Sequence, residues 1–104
     1  MTVIEDVLGA LDDPTRRVLL DRLAERGIAT ATQLSSELPV TRQAVVQHLA
    51  VLAQAGLVKG ERRGRERFFE VRTEGITQTA RWLDDLAAEW DRRLRAIKRI
   101  AEMA

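Results

Sequence analysis

Residues 30–56 read TATQLSSELPVTRQAVVQHLAVLAQAG, and this stretch predicts two short helices joined by a tight turn. Thr30 with Gln33 three residues later has the pattern of a capping box, in which each side chain bonds the backbone of the other at a helix start. Pro39 ends the first helix, because proline has no N–H to continue the helical hydrogen bonds. Thr41 is then placed to cap the second helix. This arrangement is a helix-turn-helix.

The second of these helices has an apolar side and a polar side. Val45, His48 or Leu49, Leu52 and Ala53 return at helical spacing, with His48 and Leu49 as alternatives for one inward position. Arginine can donate two hydrogen bonds to guanine, glutamine can pair with adenine, and valine can touch the thymine methyl group. The polar side is therefore predicted to contact the base edges of double-stranded DNA, with His48 at the rim; the alternative is a solvated helix surface. The predicted contacts on this helix are Thr41, Arg42, Gln43, Val46, Gln47 and His48.

A basic β-hairpin is predicted directly after this helix. Residues 57–59 and 68–71 have the composition of strands, and 63–65 form the turn between them. Guanidinium groups on a projecting hairpin can follow the DNA backbone or enter the minor groove. Because Glu61 and Glu66 lie among them, a salt-bridged hairpin without a DNA contact is the alternative. The predicted DNA contacts of the hairpin are Arg62, Arg63 and Arg65.

Acidic residues are absent from this part of the sequence. None occurs between Glu37 and Glu61, although the formal net charge of the whole chain is only +1. Of the 17 basic residues, 15 are arginine, whose planar fork binds phosphate and guanine bidentately. A polyanion is therefore expected to bind at the helix-turn-helix and the hairpin.

Two further helices precede this region. Apolar residues recur at helical spacing between Val3 and Leu11, which predicts a short first helix. Asp13 and Pro14 are the cap and the first residue of the next helix, since proline at the first position loses no hydrogen bond. Gly27 ends that helix.

From Thr73 onward the sequence predicts one long helix. Its apolar residues are spaced alternately by four and three, which is typical of a coiled-coil seam: Ile76, Ala80, Leu83, Ala87, Trp90, Leu94, Ile97 and Ala101. The alternative is an ordinary amphipathic helix packed on its own domain, but residues 1–72 offer too little surface to cover it. We therefore expect a homodimer. The predicted dimer interface consists of Val3, Ile4, Val7, Leu8, Leu83, Ala87, Trp90, Leu94 and Ile97.

Composition narrows the class of protein. The 104 residues predict one domain spanning 1–104, and 45% hydrophobic residues suffice for a packed core. The absence of cysteine excludes disulfides, thiolate zinc sites and cysteine nucleophiles. His48 is the only histidine and no nucleophile or phosphate-loop motif accompanies it, so neither an enzyme nor a metal site is expected. No apolar run is long enough to cross a bilayer, and we expect a cytoplasmic protein that binds no membrane and needs no cofactor.

The order of these motifs resembles the ArsR/SmtB family of bacterial winged-helix repressors. The similarity covers roughly residues 3 to 100 and rests on short motifs in a specific order. They are DPTRR at 13–17, QHLAVL at 47–52, AGLV at 55–58 and the hairpin tip at Gly64 and Arg65.

The resemblance implies a mainly α winged helix-turn-helix fold, with a two-stranded β-hairpin wing and a long C-terminal dimerisation helix. It also implies a homodimeric repressor of a palindromic operator. Thr30 and Thr32 stand where metal-sensing relatives often carry a Cys-x-Cys, and the last helix has no histidine, so metal sensing is not expected. Val46 replaces a serine that many relatives carry. The existence of a small-molecule inducer and the choice between repressor and activator stay open, and a protein–protein interaction module is the alternative function.

Overall fold

The computed structural model describes residues 2–103, and within this range it contains five helices and a small antiparallel sheet. Their bounds are α1 Val3–Leu11, α2 Pro14–Arg26, β1 Ala29–Thr30, α3 Ala31–Glu37, α4 Arg42–Gln54, β2 Val58–Arg63, β3 Glu66–Val71 and α5 Glu74–Met103. The predicted fold class, a mainly α winged helix-turn-helix with a hairpin wing and a long last helix, is confirmed. No helix in the described range is long and apolar enough to cross a membrane.

Side-chain oxygens cap the helices at the positions that the sequence predicts. The Asp13 carboxylate accepts two backbone N–H groups at the start of α2. At α3, Thr30 Oγ1 accepts from the Gln33 N–H at 3.1 Å, and Gln33 Oε1 accepts from the Thr30 N–H at 2.9 Å. Thr41 Oγ1 accepts from the Ala44 N–H at 3.1 Å and begins α4. Each cap satisfies donors that a helix leaves without partners in its first turn.

The hydrophobic core lies between α1, α2, α3 and α4. Its largest fully buried side chains are Val7, Leu19, Leu23, Leu34, Val45, Leu49, Leu52 and Leu57. Leu49 occupies the inward position of α4, and His48 beside it is half-buried. Because Val45, Leu49 and Leu52 face the core, the opposite side of α4 faces solvent.

The wing belongs to a three-stranded sheet with the strand order β1–β3–β2. The hairpin of β2 and β3 turns at Gly64, whose φ of 64° is a left-handed conformation that glycine adopts without strain. The third strand, β1, was not predicted, because two residues are too few to show an alternating pattern. It pairs Ala29 with Phe69 and Thr30 with Phe68, and so holds the wing against the start of α3.

The first turns of α5 pack on α1. Gly75 allows the close approach, since a Cβ there would lie 3.1 Å from Val7 Cγ2. Val7 is predicted to lie at the dimer interface, and the structure corrects this prediction. Its side chain is fully buried in the core of its own chain, beneath α5, and has no accessible surface for a partner. Ile4 is half-buried.

The part of α5 that lies beyond α1 projects from the body of the molecule. With this helix included, the molecule measures 70 × 24 × 24 Å. The apolar side of α5 is open: Trp90 is 54% exposed, Leu94 63% and Ile97 62%. Val3, Leu8, Leu83 and Ala87, the other predicted interface residues, are also exposed. Within the described part of α5, only Thr79 is buried.

We expect Thr30→Val to destabilise the fold by about 1 kcal/mol, because it keeps the branched shape in β1 but removes the hydroxyl that caps α3. Urea unfolding with a shared m-value measures this difference. Thr77→Val, the same change on the exposed side of α5, is the control. An equal effect of the two substitutions would contradict a capping role.

Candidate nucleic-acid interface

Four of the predicted DNA contacts besides Arg42 are exposed along α4 or at its cap. Val45 and Leu49 anchor the buried side, and the helical period places Gln43 and Gln47 almost opposite to them. Thr41, at the cap, is also exposed, and Val46 keeps 43% of its surface accessible. This part of the helix combines amide, hydroxyl and methyl groups with no carboxylate. It can therefore offer hydrogen bonds and an apolar contact to base edges.

The side chain of Arg42 has a defined direction. Its Nε donates a hydrogen bond to Thr32 Oγ1 at 3.0 Å, which links the first residue of α4 to α3. The bond uses one of the five N–H groups of the guanidinium and leaves the terminal nitrogens available. Arg42 thus leans from α4 towards the wing.

His48 lies away from this surface. It is half-buried and close to the start of α2, where its charge acts on Asp13. Loss of hydration raises the pKa of Asp13, but hydrogen bonds from the Arg16 and Thr15 N–H groups and the charges of Arg16 and His48 outweigh it. The pKa of Asp13 is therefore held below its ordinary value. His48 therefore lies beside the cap of α2 and away from the wing.

Pairing between β2 and β3 decides which way each wing arginine points. Residues directly opposite in an antiparallel pair project to the same side. Gly60 pairs with Phe69, and Arg62 pairs with Arg67, so these four share one side of the wing, where Phe69 and Arg67 approach α4. Arg63 pairs with Glu66 on the other side.

Arg63 makes its contacts on the outer side of the wing. Its guanidinium lies 5.5 Å from the centre of the Phe68 ring and 3.7 Å from a carboxylate oxygen of Glu61. Of the three arginines that the sequence singled out, Arg65 reaches the groove beside α4, whereas Arg62 and Arg63 do not line it.

Arg67 is a candidate that the predicted set missed. Its guanidinium carbon lies 5.7 Å from the centre of the Phe69 ring, and a Cβ on Gly60 would approach Arg67 Nε to 2.6 Å. Arg67 therefore lies flat across Gly60 and Phe69, on the side that faces α4. Alternation from Phe69 along β3 would have pointed to it, because residues two apart in a strand share a side.

A groove of about 520 Å³ separates α4 from the wing. The start of α3 with Thr32 and Gln33 forms one end, Val46 and Phe69 supply apolar surface, and three arginines reach it. Those arginines are Arg42, Arg65 and Arg67.

Ion pairs are distributed unevenly between the two sides of the molecule. Arg22 and Arg26 both pair with Glu37 at the junction of α2 and α3. In the described chain, by contrast, no carboxylate forms an ion pair with Arg42, Arg65 or Arg67. Among the described residues that line the groove, three are arginines and one, Glu66, is acidic, so the lining carries a net positive charge. No group of three metal-ligating side chains occurs among residues 2–103.

An exposed polar helix, a basic wing and a cationic groove between them define a winged helix-turn-helix transcriptional regulator. The comparisons with known proteins agree. A family described as a helix-turn-helix domain matches residues 11–61. The solved structure of an ArsR-like transcriptional regulator from Rhodococcus sp. RHA1 superposes with a TM-score of 0.86 and 42% identity, covering 95% of this chain and 92% of that one.

Two curated relatives extend the match. The HTH-type transcriptional regulator Rv2034 from Mycobacterium tuberculosis is 40% identical over 85 residues, which are 82% of this chain and 76% of the relative. The transcriptional repressor SdpR from Bacillus subtilis is 28% identical over 80 residues, which are 77% of this chain and 88% of SdpR. The chain belongs to the ArsR-like family of helix-turn-helix transcriptional regulators, which are DNA-binding proteins and not enzymes.

The lowered pKa of Asp13 predicts a pH-dependent contribution to stability. A carboxylate whose pKa is lower in the folded state stabilises the protein above its unfolded pKa, and this contribution disappears as the pH falls through the folded pKa. Asp13→Asn keeps a capping side chain without the charge. We expect the variant to be less stable than the native chain at pH 7 and the difference to shrink in acid.

Urea unfolding of both proteins between pH 7 and acid measures this difference, with Asp12→Asn as the control one residue earlier. A difference that stays constant from neutral to acidic pH would contradict the electrostatic account of the cap.

Proposed function

We propose that the protein is a homodimeric, sequence-specific repressor that binds a palindromic operator in double-stranded DNA. The observation that carries this proposal is the exposed side of α4, where Gln43, Val46 and Gln47 lie without any carboxylate beside a basic wing. A helix of this kind fits the major groove, where each base pair presents a distinct set of donors and acceptors. Gln43, Val46 and Gln47 then read bases, and the wing lies over the neighbouring backbone and minor groove.

The exposed apolar side of α5 supports a dimer. Trp90, Leu94 and Ile97 lie on the part of the helix that projects beyond α1, where no other element of the described chain covers them. A contiguous apolar surface of this kind marks a protein interface. A second copy supplies an identical surface, as a two-fold interface requires.

Charge along α5 supports an antiparallel arrangement of the two copies. Five acids and one base occupy residues 74–91: Glu74, Arg81, Asp84, Asp85, Glu89 and Asp91. Five bases and one acid occupy residues 92–103: Arg92, Arg93, Arg95, Lys98, Arg99 and Glu102. Two parallel helices would place like charges together, whereas antiparallel helices bring each acidic half to a basic half.

A two-fold dimer accounts for a palindromic site. Its two α4 helices enter successive major grooves when they lie about 34 Å apart, one turn of DNA. Repression then follows from occupation of the promoter, and the relative SdpR, a transcriptional repressor, supports this direction of regulation. The protein acts in the cytoplasm, where bacterial DNA is accessible to it.

A protein–protein interaction module is the second candidate, favoured by the same exposed stripe on α5. In that case a different chain would cover the stripe and the polar side of α4 would have no ligand. The two candidates differ in whether α4 is used, so DNA selection separates them. Enrichment of a symmetric site from a random duplex library supports the repressor, and no enrichment supports the module.

We expect Gln47→Ala to weaken binding to the selected operator by about 1–3 kcal/mol while leaving binding to a scrambled duplex unchanged, because a base contact is lost. Fluorescence anisotropy at fixed salt measures both affinities. Gln78→Ala, the same change on the exposed surface of α5, should bind both duplexes as the native chain does. Equal losses on the two duplexes would remove Gln47 from the base-reading set.

We expect Leu94→Glu to raise the dimer dissociation constant more than about a hundredfold, because each of two copies loses the burial of a leucine, about 1.5 kcal/mol or more. Analytical ultracentrifugation measures it. Leu94 is exposed in the single chain, so the monomer should stay folded. Ala88→Glu introduces the same charge on another side of α5 and should leave the dimer intact; equal dimer loss in both variants would contradict the assigned seam.

A further inference from the structure

The groove between α4 and the wing has a chemistry of its own. Arg42 enters it from α4, Arg67 from β3 and Arg65 from the hairpin turn, while Thr32 and Gln33 add polar groups at its end. None of these arginines forms an ion pair in the described chain, although Glu66 also lines the groove. Guanidinium and hydroxyl groups without carboxylate partners are typical ligands of phosphate oxygens.

Arg42 is oriented for this groove and not for the bottom of a major groove. Its Nε donates a hydrogen bond to Thr32 Oγ1, and its side chain lines the space between α4 and the wing. A guanine contact needs the fork of the guanidinium to extend from α4 alongside the glutamines. The bond to Thr32 holds the side chain on the flank of the helix instead.

Arg67 is held by packing. Phe69 lies under its guanidinium, and the missing side chain of Gly60 gives it room to lie flat, because any Cβ there would collide with it. A side chain fixed in this way loses less entropy on binding than a free arginine does. Arg42 and Arg67 therefore face one groove from its two walls.

The geometry of double-stranded DNA indicates which part of the duplex lies at this groove. The major groove and the neighbouring minor groove are separated by one sugar–phosphate strand. A protein that places α4 in the first and its wing over the second must straddle that strand with whatever lies between them. In this chain the element between them is the groove.

We propose that the groove binds a single sugar–phosphate strand of the operator, with Arg42 and Arg67 as its phosphate ligands. This inference rests on the proposed function and changes the role that the sequence predicts for one residue. Arg42, which the sequence assigns to reading guanine, positions the backbone together with Arg67, a residue outside the predicted set. Gln43, Val46 and Gln47 are left as the residues that read bases.

The test compares Arg42→Gln and Arg67→Gln with Arg81→Gln, an exposed arginine on α5 that loses the same charge far from the groove. Affinities for the selected operator and for a scrambled duplex are measured by anisotropy at several salt concentrations. For each groove variant we expect about tenfold weaker binding to both duplexes and a salt slope reduced by about 0.9, the value for one phosphate contact. The ratio of the two affinities should stay that of the native chain, and Arg81→Gln should change neither quantity.

Arg67→Lys keeps the charge and should keep the salt slope. Duplexes with one methylphosphonate then locate the contact: a substitution that weakens the native chain should have no further effect on the variant lacking the matching arginine. Thermal melting of each variant checks that it is folded.

The outcomes separate the two proposals. A loss confined to the operator, with an unchanged slope, would make Arg42 a base reader and overturn the assignment. If Arg67→Gln has the same affinities and salt slope as Arg81→Gln, the groove holds no strand. In both cases the operator still binds and the repressor proposal stands. Failure of the native chain to bind any duplex would overturn both proposals.

Discussion

Burial of Val45, Leu49 and Leu52 is the constraint on which the functional surface depends. These three side chains lie on one side of α4 and lock its rotation about its own axis. Once that side is inside, the helical period alone determines that Gln43 and Gln47 point outward. A rotation of one residue in either direction would expose Leu49 and Leu52 and put Ala50 and Ala53, or His48 and Val51, in their places, at the cost of hydrophobic burial. Core packing and DNA-facing chemistry are thus the two sides of one amphipathic helix.

The position of the wing depends on a much smaller element. Thr30 belongs to β1, where it pairs with Phe68, and its hydroxyl also caps α3. One residue therefore joins the sheet to the helix-turn-helix. Since β3 is also paired with β2, this junction links the whole wing to the start of α3 and so helps to determine the width of the groove between the wing and α4. A groove with fixed walls is better preorganised for a ligand than one bounded by free loops.

The sequence predicts local features of this molecule well and relations between distant elements poorly. The caps at Asp13, Thr30 and Thr41 can be predicted from the sequence because donor and acceptor lie within three residues of each other. The buried side of α4 can be predicted from the helical spacing of its apolar residues. By contrast, the burial of Val7 depends on Gly75 admitting α5 against α1, a contact between residues far apart in the sequence. The direction of Arg42 depends in the same way on Thr32 in another helix, and the side on which Arg67 lies depends on the strand register.

The helix α5 is linked to the DNA-facing elements mainly through α1. It packs on α1, and α1 in turn contacts both α2 and α4. In a dimer held together by the projecting part of α5, the separation of the two α4 helices would therefore follow from the angle between α1 and α5. That angle depends on the contact between Gly75 and Val7, because a Cβ at position 75 would lie only 3.1 Å from Val7 Cγ2 in the core. Because two rigid α4 helices can match half-sites only at one spacing, a small change at the α1–α5 contact would be magnified along the projecting helix. In the proposed dimer, the contact between Gly75 and Val7 would therefore influence operator spacing, although Gly75 lies in neither α4 nor the wing.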